Sequence, residues 1–264
     1  MVNFVEKTFL LGVGAQKAGT TWLHEELCKN DCFKPGFAKE YHTFDSIYAS
    51  EFINLPSHWE KRLSGLSGAT DRRSNRHRSE LLKRLLFASD SEAYFDYFNY
   101  LSLREENHVL VGDITPCYTL LSKEAFKAIR SGLVSRGFDV KVLLLMRDPV
   151  ERIWSALRMK HRRNKDKFSN VTPEEFEIKL TQFYSRKSTY RRTDYERAIN
   201  NLESVFRPHE IHYDFYERLF TEATFKRFAN FVGFDLKLPD FNNFVNASPK
   251  QNLITPKLTR TIAK

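Results

Sequence analysis

FLLGVGAQKAGTT, residues 9–21, is the stretch whose reading decides the fold. Phe9 to Val13 is an apolar run of strand length, Gly14 and Gly19 frame a turn that carries Lys17, and Thr20 and Thr21 open an amphipathic helix. Such a succession builds an anion cradle. Backbone N–H groups of the turn and the positive end of the helix point at a phosphate or sulfate, and the glycines let the main chain come close. The interval from Gly14 to Gly19 matches the GxxxxG of a P-loop, but Thr20 and Thr21 stand where a Walker A motif has Lys and then Ser or Thr. A nucleoside triphosphatase also needs a Mg²⁺ ligand, normally an Asp ending a second apolar strand. The clearest later strand, Val140 to Met146, runs into Arg147 instead. The turn therefore reads as a site for a nucleotide anion handled by side-chain cations, with no metal required.

Outward from this turn the pattern alternates. Strands are predicted at Thr8–Val13, Val109–Asp113, Val140–Met146 and across Ile211, Tyr213 and Phe215. Helices are predicted at Thr20–Lys29, Lys123–Ser131, Pro149–Lys160, Tyr195–Phe206 and Phe225–Val232, the last stopped by Gly233. Residues 46–107 read as a largely helical, charge-rich insertion whose better helices are Ser79–Phe87 and Ser91–Arg104. Alternation of strand and helix implies an α/β fold: one parallel sheet covered on both faces, in a single domain over residues 1–264. A chain of 264 residues can bury a sizeable core, and 23 Phe and 11 Tyr supply much of it.

The segment KVLLLMRDPVERIWSAL, residues 141–157, places Arg147 at a strand-to-helix junction. Asp148 is the expected N-cap, Pro149 sits at N1 where its missing N–H is harmless, and Glu151 at N3 closes a capping box. At 100° per residue Val150, Ile153, Trp154 and Leu157 share one face, which leaves Ser155 on the other, open to a ligand. The plain alternative is an Arg147 paired with a surface carboxylate and a solvated Ser155. Two further segments stand out. KEYHTFD, residues 39–45, gathers a carboxylate, an imidazole and a second carboxylate, or else is an ordinary charged loop. VLVGDITPCY, residues 109–118, is a strand stopped by Pro116, with Thr115 either a polar contact or a turn residue.

Taken together, these four segments resemble the sulfotransferases that use 3'-phosphoadenosine 5'-phosphosulfate (PAPS), especially the branch acting on glycans such as heparan sulfate. The resemblance implies that Gln16, Lys17, Ala18, Gly19, Thr20, Thr21 and Trp22 bind the 5'-phosphosulfate, and that Arg147 and Ser155 hold the 3'-phosphate. It implies that Glu40 is the general base taking the proton of an acceptor hydroxyl, with His42 and Asp45 orienting or tuning it. In-line sulfuryl transfer asks for one proton removed, developing charge neutralised and the partners positioned, and Lys17 would offset the charge growing on the bridging oxygen. The chain departs from the family pattern at Thr43, where an aromatic is usual, and at Ile114, where a Lys commonly precedes the Thr. Tyr190 or Tyr195 is expected near the nucleotide, or else as a core or lid aromatic. The polar tail 245–252 falls where relatives close a loop over PAPS, and Lys250 is the residue there that would reach a phosphate.

Composition bounds the partners. The net charge of +9 is clustered at Arg72, Arg73, Arg76, His77 and Arg78, at 158–167, and at Arg186, Lys187, Arg191 and Arg192. Clusters of this kind are usually solvated faces, but they would also steer an anionic nucleotide and an acidic glycan acceptor. Nucleic acid is not the expected partner, because no zinc-finger or RNP-type signature appears and the aromatics do not interleave with the basic clusters. Three cysteines, Cys28, Cys32 and Cys117, argue against a disulfide framework and for a reducing compartment; CxxxC alone is a poor zinc site. No stretch has transmembrane length and no signal peptide is read at the start, so a soluble, cytoplasmic enzyme is expected. Two rival readings remain: a phosphotransferase dependent on Mg²⁺-ATP, and a non-enzymatic basic module for an anionic polymer. The identity of the acceptor carries no recognisable code.

Overall fold

The structure, a computed structural model, describes residues 6–51, 54–105, 108–163 and 173–241. Its centre is a five-stranded, all-parallel sheet. Strand β1 (Lys7–Gly14) lies in the middle, flanked by β3 (Val109–Ile114) and β4 (Asp139–Met146). The two edges are β2 (Phe33–Lys34), which pairs with β3, and β5 (Ile211–Phe215), which pairs with β4. The three central strands are buried almost throughout and read as nearly continuous apolar runs, as a parallel sheet covered on both sides requires.

Within those runs the pleat still sorts the side chains. Phe9, Leu11 and Val13 of β1, with Val109, Val111, Val140, Val142 and Leu144, face one apolar layer. Leu10, Leu110, Leu143 and Leu145 face the other. The first layer is closed by α5 (Ser91–Leu103), α6 (Lys123–Ser135) and α10 (Tyr195–Glu203), whose Tyr94, Phe95, Phe98, Phe126 and Leu202 fill it. The second is closed by α1 (Thr20–Leu27) and α12 (Glu222–Val232) through Trp22, Leu23, Phe225 and Phe228.

Several boundaries differ from the sequence reading, each for a local reason. The helix expected from Ser79 starts at Arg72: α4 spans Arg72–Ser89 because the Asp71 carboxylate accepts the Ser74 N–H at 2.9 Å. Its first two turns are polar all round and show no helical period. The helix expected to stop at Ser131 continues to Ser135, and it passes so close to Phe95 that a Cβ on Gly132 would lie 2.1 Å from the nearest ring atom. Helix α12 starts three residues before the expected Phe225, capped by the Thr221 hydroxyl, and ends at Gly233 (φ 79°) as expected. The edge strand β2 and the helix α2 (Thr43–Tyr48) carry no periodic signal and were not expected as elements, while α3 (Leu55–Ser64) falls within the insertion expected to be largely helical. Beyond β4 run α7 (Pro149–Arg163), α8 (Pro173–Tyr184) and α9 (Lys187–Arg191). The short α11 (Tyr216–Leu219) links β5 to α12.

Candidate active site at the carboxyl ends of the strands

In a parallel sheet the chain leaves every strand at the same edge, and there the predicted segments meet. The turn after β1 holds Lys17 (φ 72°) and Gly19 (φ 88°) in left-handed conformations. At Gly19 a side chain is excluded twice, by the backbone angle and because a Cβ would lie 2.4 Å from a Leu219 methyl. Gly19 is also the N-cap of α1, and no side chain among the described residues caps that helix. Its first-turn N–H groups thus lack a side-chain acceptor and face outward as a positive pole. Gln16 and Lys17 are half-buried, Thr20 is buried and Thr21 exposed. Ala18 and Trp22 lie deeper: Ala18 is fully buried, and the Trp22 ring packs edge-on against Phe220 and Phe225 in the second apolar layer. The indole N–H of Trp22 is buried with no partner among the described residues.

Arg147 arrives at the same turn from β4. Its guanidinium donates to the Lys17 carbonyl at 3.2 Å and to Glu151 at 3.3 Å, and stacks 4.2 Å from the Tyr216 ring centroid. Its Nε is buried with no acceptor among the described residues. The Tyr195 hydroxyl braces the junction, donating to the Arg147 carbonyl at 3.0 Å, whereas Tyr190 is exposed. Asp148 caps α7 as expected, accepting the Glu151 N–H at 2.9 Å. The capping box stays half-made, since the Glu151 carboxylate turns to Arg147 and Glu217 takes the Asp148 N–H at 3.1 Å. Ser155 departs from its expected open setting and is 6 % exposed. The apolar stripe of Ile153, Trp154 and Leu157 packs on Leu180 of α8, which turns the other face of α7 inward. On that inner side Arg152 donates to the Thr189 carbonyl and the Thr193 hydroxyl. Lys250 lies outside the described residues.

The loop 39–42 is clamped onto the end of β3. Asp113, fully buried, accepts hydrogen bonds from the hydroxyls of Tyr94 (3.0 Å), Tyr118 (2.7 Å) and Thr115 (2.5 Å) and from the Tyr41 N–H (3.3 Å). Burial pushes its carboxyl up to about 6, against the pull of those donors. Thr115 in turn accepts the N–H groups of Tyr41 (2.9 Å) and His42 (3.4 Å). Its hydroxyl is thus a bracket for the loop, with its proton given to Asp113. Further clamps are the Ile114 N–H donating to the Lys39 carbonyl at 3.0 Å and Arg84 donating to the Tyr41 carbonyl at 2.7 Å.

Held this way, the loop presents a chain of charges. His42 Nδ1 bonds Asp45 at 2.7 Å and its Nε2 lies 3.2 Å from Glu40, while Lys39 donates to the other oxygen of Glu40 at 2.8 Å. Burial opposes a charged imidazole, but the bonds to Asp45 and Glu40 outweigh it and raise His42 to about 9. Burial likewise opposes the Glu40 carboxylate, but His42 and Lys39 together hold it down to about 2. At neutral pH His42 is a doubly donating cation and Glu40 an anion. Lys39 also donates to Thr20 Oγ1 of the first turn at 3.2 Å, so its ammonium joins the two halves of the site. Sequence reasoning quoted Lys39 only as a neighbour of Glu40, because nothing in the local pattern says where a lysine side chain reaches. Cys117, whose thiol burial pushes up to about 12, stands beside His42 and Asp45, and all three cysteines are unpaired.

The arrangement thus has an uncapped helix start and two cations on one side, and a clamped carboxylate on the other. The sulfotransferase domain model matches residues 7–254. Among solved structures, the chain is similar to a sulfotransferase from Alicyclobacillus acidocaldarius, at 20 % identity and a TM-score of 0.54, over 98 % of this chain and 90 % of that one. It is also similar to the sulfotransferase domain of the Synechococcus PCC 7002 olefin synthase, at 15 % identity and a TM-score of 0.53, over 99 % and 89 % of the two chains. These two likenesses speak to the fold. No curated protein sequence matches the chain significantly. No helix among the described residues is long and apolar enough to cross a membrane. Because the domain match extends over nearly the whole chain, from β1 past the last described helix, the protein belongs to the sulfotransferase domain family.

Proposed function

We propose that this enzyme moves the sulfuryl group of PAPS to a hydroxyl of a carbohydrate or other small polar acceptor, without a metal ion, with Glu40 as the base. A sulfotransferase moves a sulfuryl group, and the family generally draws it from PAPS. The observation that carries the finer reading is the contact between the two anion motifs: the guanidinium of Arg147 lies on the Lys17 carbonyl with its Nε lacking an acceptor among the described residues. Buried donors of this kind are ordinarily satisfied, and a phosphate oxygen is the chemistry that suits them. PAPS, when bound, supplies the sulfuryl group and two phosphate sites carrying the charge that holds it.

The protein's part follows from the side chains. Lys17, Gly19, Thr20 and Thr21, with Gln16 and Ala18, form the cradle for the 5'-phosphosulfate, where the α1 pole and Lys17 neutralise charge on the leaving side. Trp22 supports that cradle from the apolar layer beneath. Arg147, with Ser155 on the next helix, takes the 3'-phosphate, and Lys250 remains a proposed contact. On the acceptor side His42 has both ring nitrogens committed as donors and cannot take a proton, so Glu40 is the group that can. Its low pKa makes it a weak base. It accepts the proton only as the acceptor oxygen becomes acidic through bonding to sulfur, so its position, fixed by His42 and Lys39, counts for more than its strength. An acidic glycan would suit the basic surface as acceptor.

Calorimetric titration with 3'-phosphoadenosine 5'-phosphate, without metal and alongside ATP with Mg²⁺, tests this reading. Tight metal-independent binding that is weakened in Arg147→Ala is expected. Preference for Mg²⁺-ATP would replace it with a phosphotransferase.

A further inference from the structure

The ammonium of Lys39 occupies an unusual place, donating at once to Thr20 Oγ1 in the first turn of α1 and to the Glu40 carboxylate. Its backbone is pinned by the Ile114 N–H, so the side chain pivots from a fixed point within reach of both. The groups facing Glu40 are Lys39, His42 and, behind it, Asp45, then His24 from α1 and Cys117 from the turn after β3, to which Arg192 bonds. His24 is lowered to about 4, by burial and then by Lys39, and is neutral at pH 7; the Cys117 thiol is protonated. Among the described residues, Glu40 is therefore bonded by two cations, of which one is also bonded to the anion cradle.

We propose that Lys39 is a catalytic residue shared between donor and base: an anion seated at the start of α1 draws the ammonium off Glu40, and this release readies Glu40 for the acceptor's proton. The inference rests on the donor site proposed above. A phosphate oxygen arriving beside Thr20 competes for Lys39 with a single carboxylate charge, in a setting where the ammonium has three donors but a limited swing. Losing one of its two cationic partners, Glu40 becomes a stronger base, and it does so only when the donor is in place. The acceptor oxygen then bonds to sulfur and gives its proton to Glu40, while the electrons of the broken sulfur–oxygen bond remain on the departing phosphate. Lys39, already at that phosphate, faces the charge they bring.

A double-mutant cycle on binding of 3'-phosphoadenosine 5'-phosphate tests the sharing without recourse to turnover. Glu40→Gln ends the competition for Lys39 and is expected to tighten binding about three- to five-fold, the scale of a partly exposed ion pair. In the Lys39→Gln background the same substitution is expected to change affinity by less than about two-fold. Lys39→Arg, which keeps the charge, should restore most of the coupling. In parallel, the Glu40 carboxyl resonance of the wild-type protein should titrate at higher pH once the nucleotide is added. An equal gain from Glu40→Gln with and without Lys39, or an unmoved Glu40 titration, would overturn the sharing while leaving the donor site intact. Absence of nucleotide binding by the wild type would remove the donor site and this inference together.

Discussion

The turn after β1 and the loop ahead of α2 stand on opposite sides of the candidate site, and they are held in different ways. The turn is shaped by its backbone: left-handed angles at Lys17 and Gly19, an uncapped helix start, and a main-chain carbonyl for Arg147. The loop is shaped by side chains from elsewhere: Asp113 and Thr115 from β3 and its end, Tyr94 from α5, and Arg84 from α4. A backbone cradle offers a positive pole that changes little with pH, which suits an anion of fixed charge. A loop built on ionisable partners can have its charge state altered, which suits a group that must accept and release a proton.

The contrast predicts where substitutions act. Glu40→Gln keeps the shape of the loop and removes the carboxylate proposed as the base, so kcat should fall by about 10²- to 10⁴-fold with nucleotide binding retained; loss of nucleotide binding would mean the two sides are not separable. Arg147→Ala acts on the other side. It should weaken 3'-phosphoadenosine 5'-phosphate binding by about 10- to 100-fold in calorimetry, the scale of a charge-assisted hydrogen bond, and leave the Glu40 titration in place. Asp113→Asn probes the clamp, because an amide has one acceptor oxygen where four donors converge. A loss of about 2 kcal/mol in denaturant unfolding is expected, and an unchanged midpoint would show that the loop is held by other contacts.

The smallest effect is on pH dependence. His42 is raised from the ordinary 6.5 to about 9 in the folded protein, so its ion pairs contribute fully below about pH 6.5 and fade as pH rises through 9. Unfolding free energy should decline across that window in the wild type and decline less in His42→Gln. Equal slopes in the two proteins would mean that His42 is not held charged by Asp45 and Glu40.

How much of this was legible differs between the two sides. The glycine-framed turn, the Arg147 junction and the alternation of strands with helices are local patterns, and the structure places them as read. Ser155 was misjudged in its surroundings because a helical wheel shows which face is apolar but not that α8 covers that face and turns the other inward. The setting of two other residues also comes from packing: the Trp22 ring lies in a core layer, and Thr115, read as either a polar contact or a turn residue, makes its polar contacts to Asp113 and the 39–42 loop. The start of α4 was hidden because a polar helix has no hydrophobic period, and only its Asp71 cap marks it.

By itself the sequence determined the parallel α/β architecture and the glycine-framed turn that opens α1, because both follow from interactions a few residues long: strand and helix periods, glycine angles and helix ends. The tertiary structure alone decided the state of the acceptor-side loop. That Glu40 is held ionised, that His42 is a charged donor and that Lys39 links them to Thr20 depends on groups brought together from α1, β3 and the loop itself. Electrostatic coupling and desolvation act through space over a few ångströms, and no pattern along the chain encodes them.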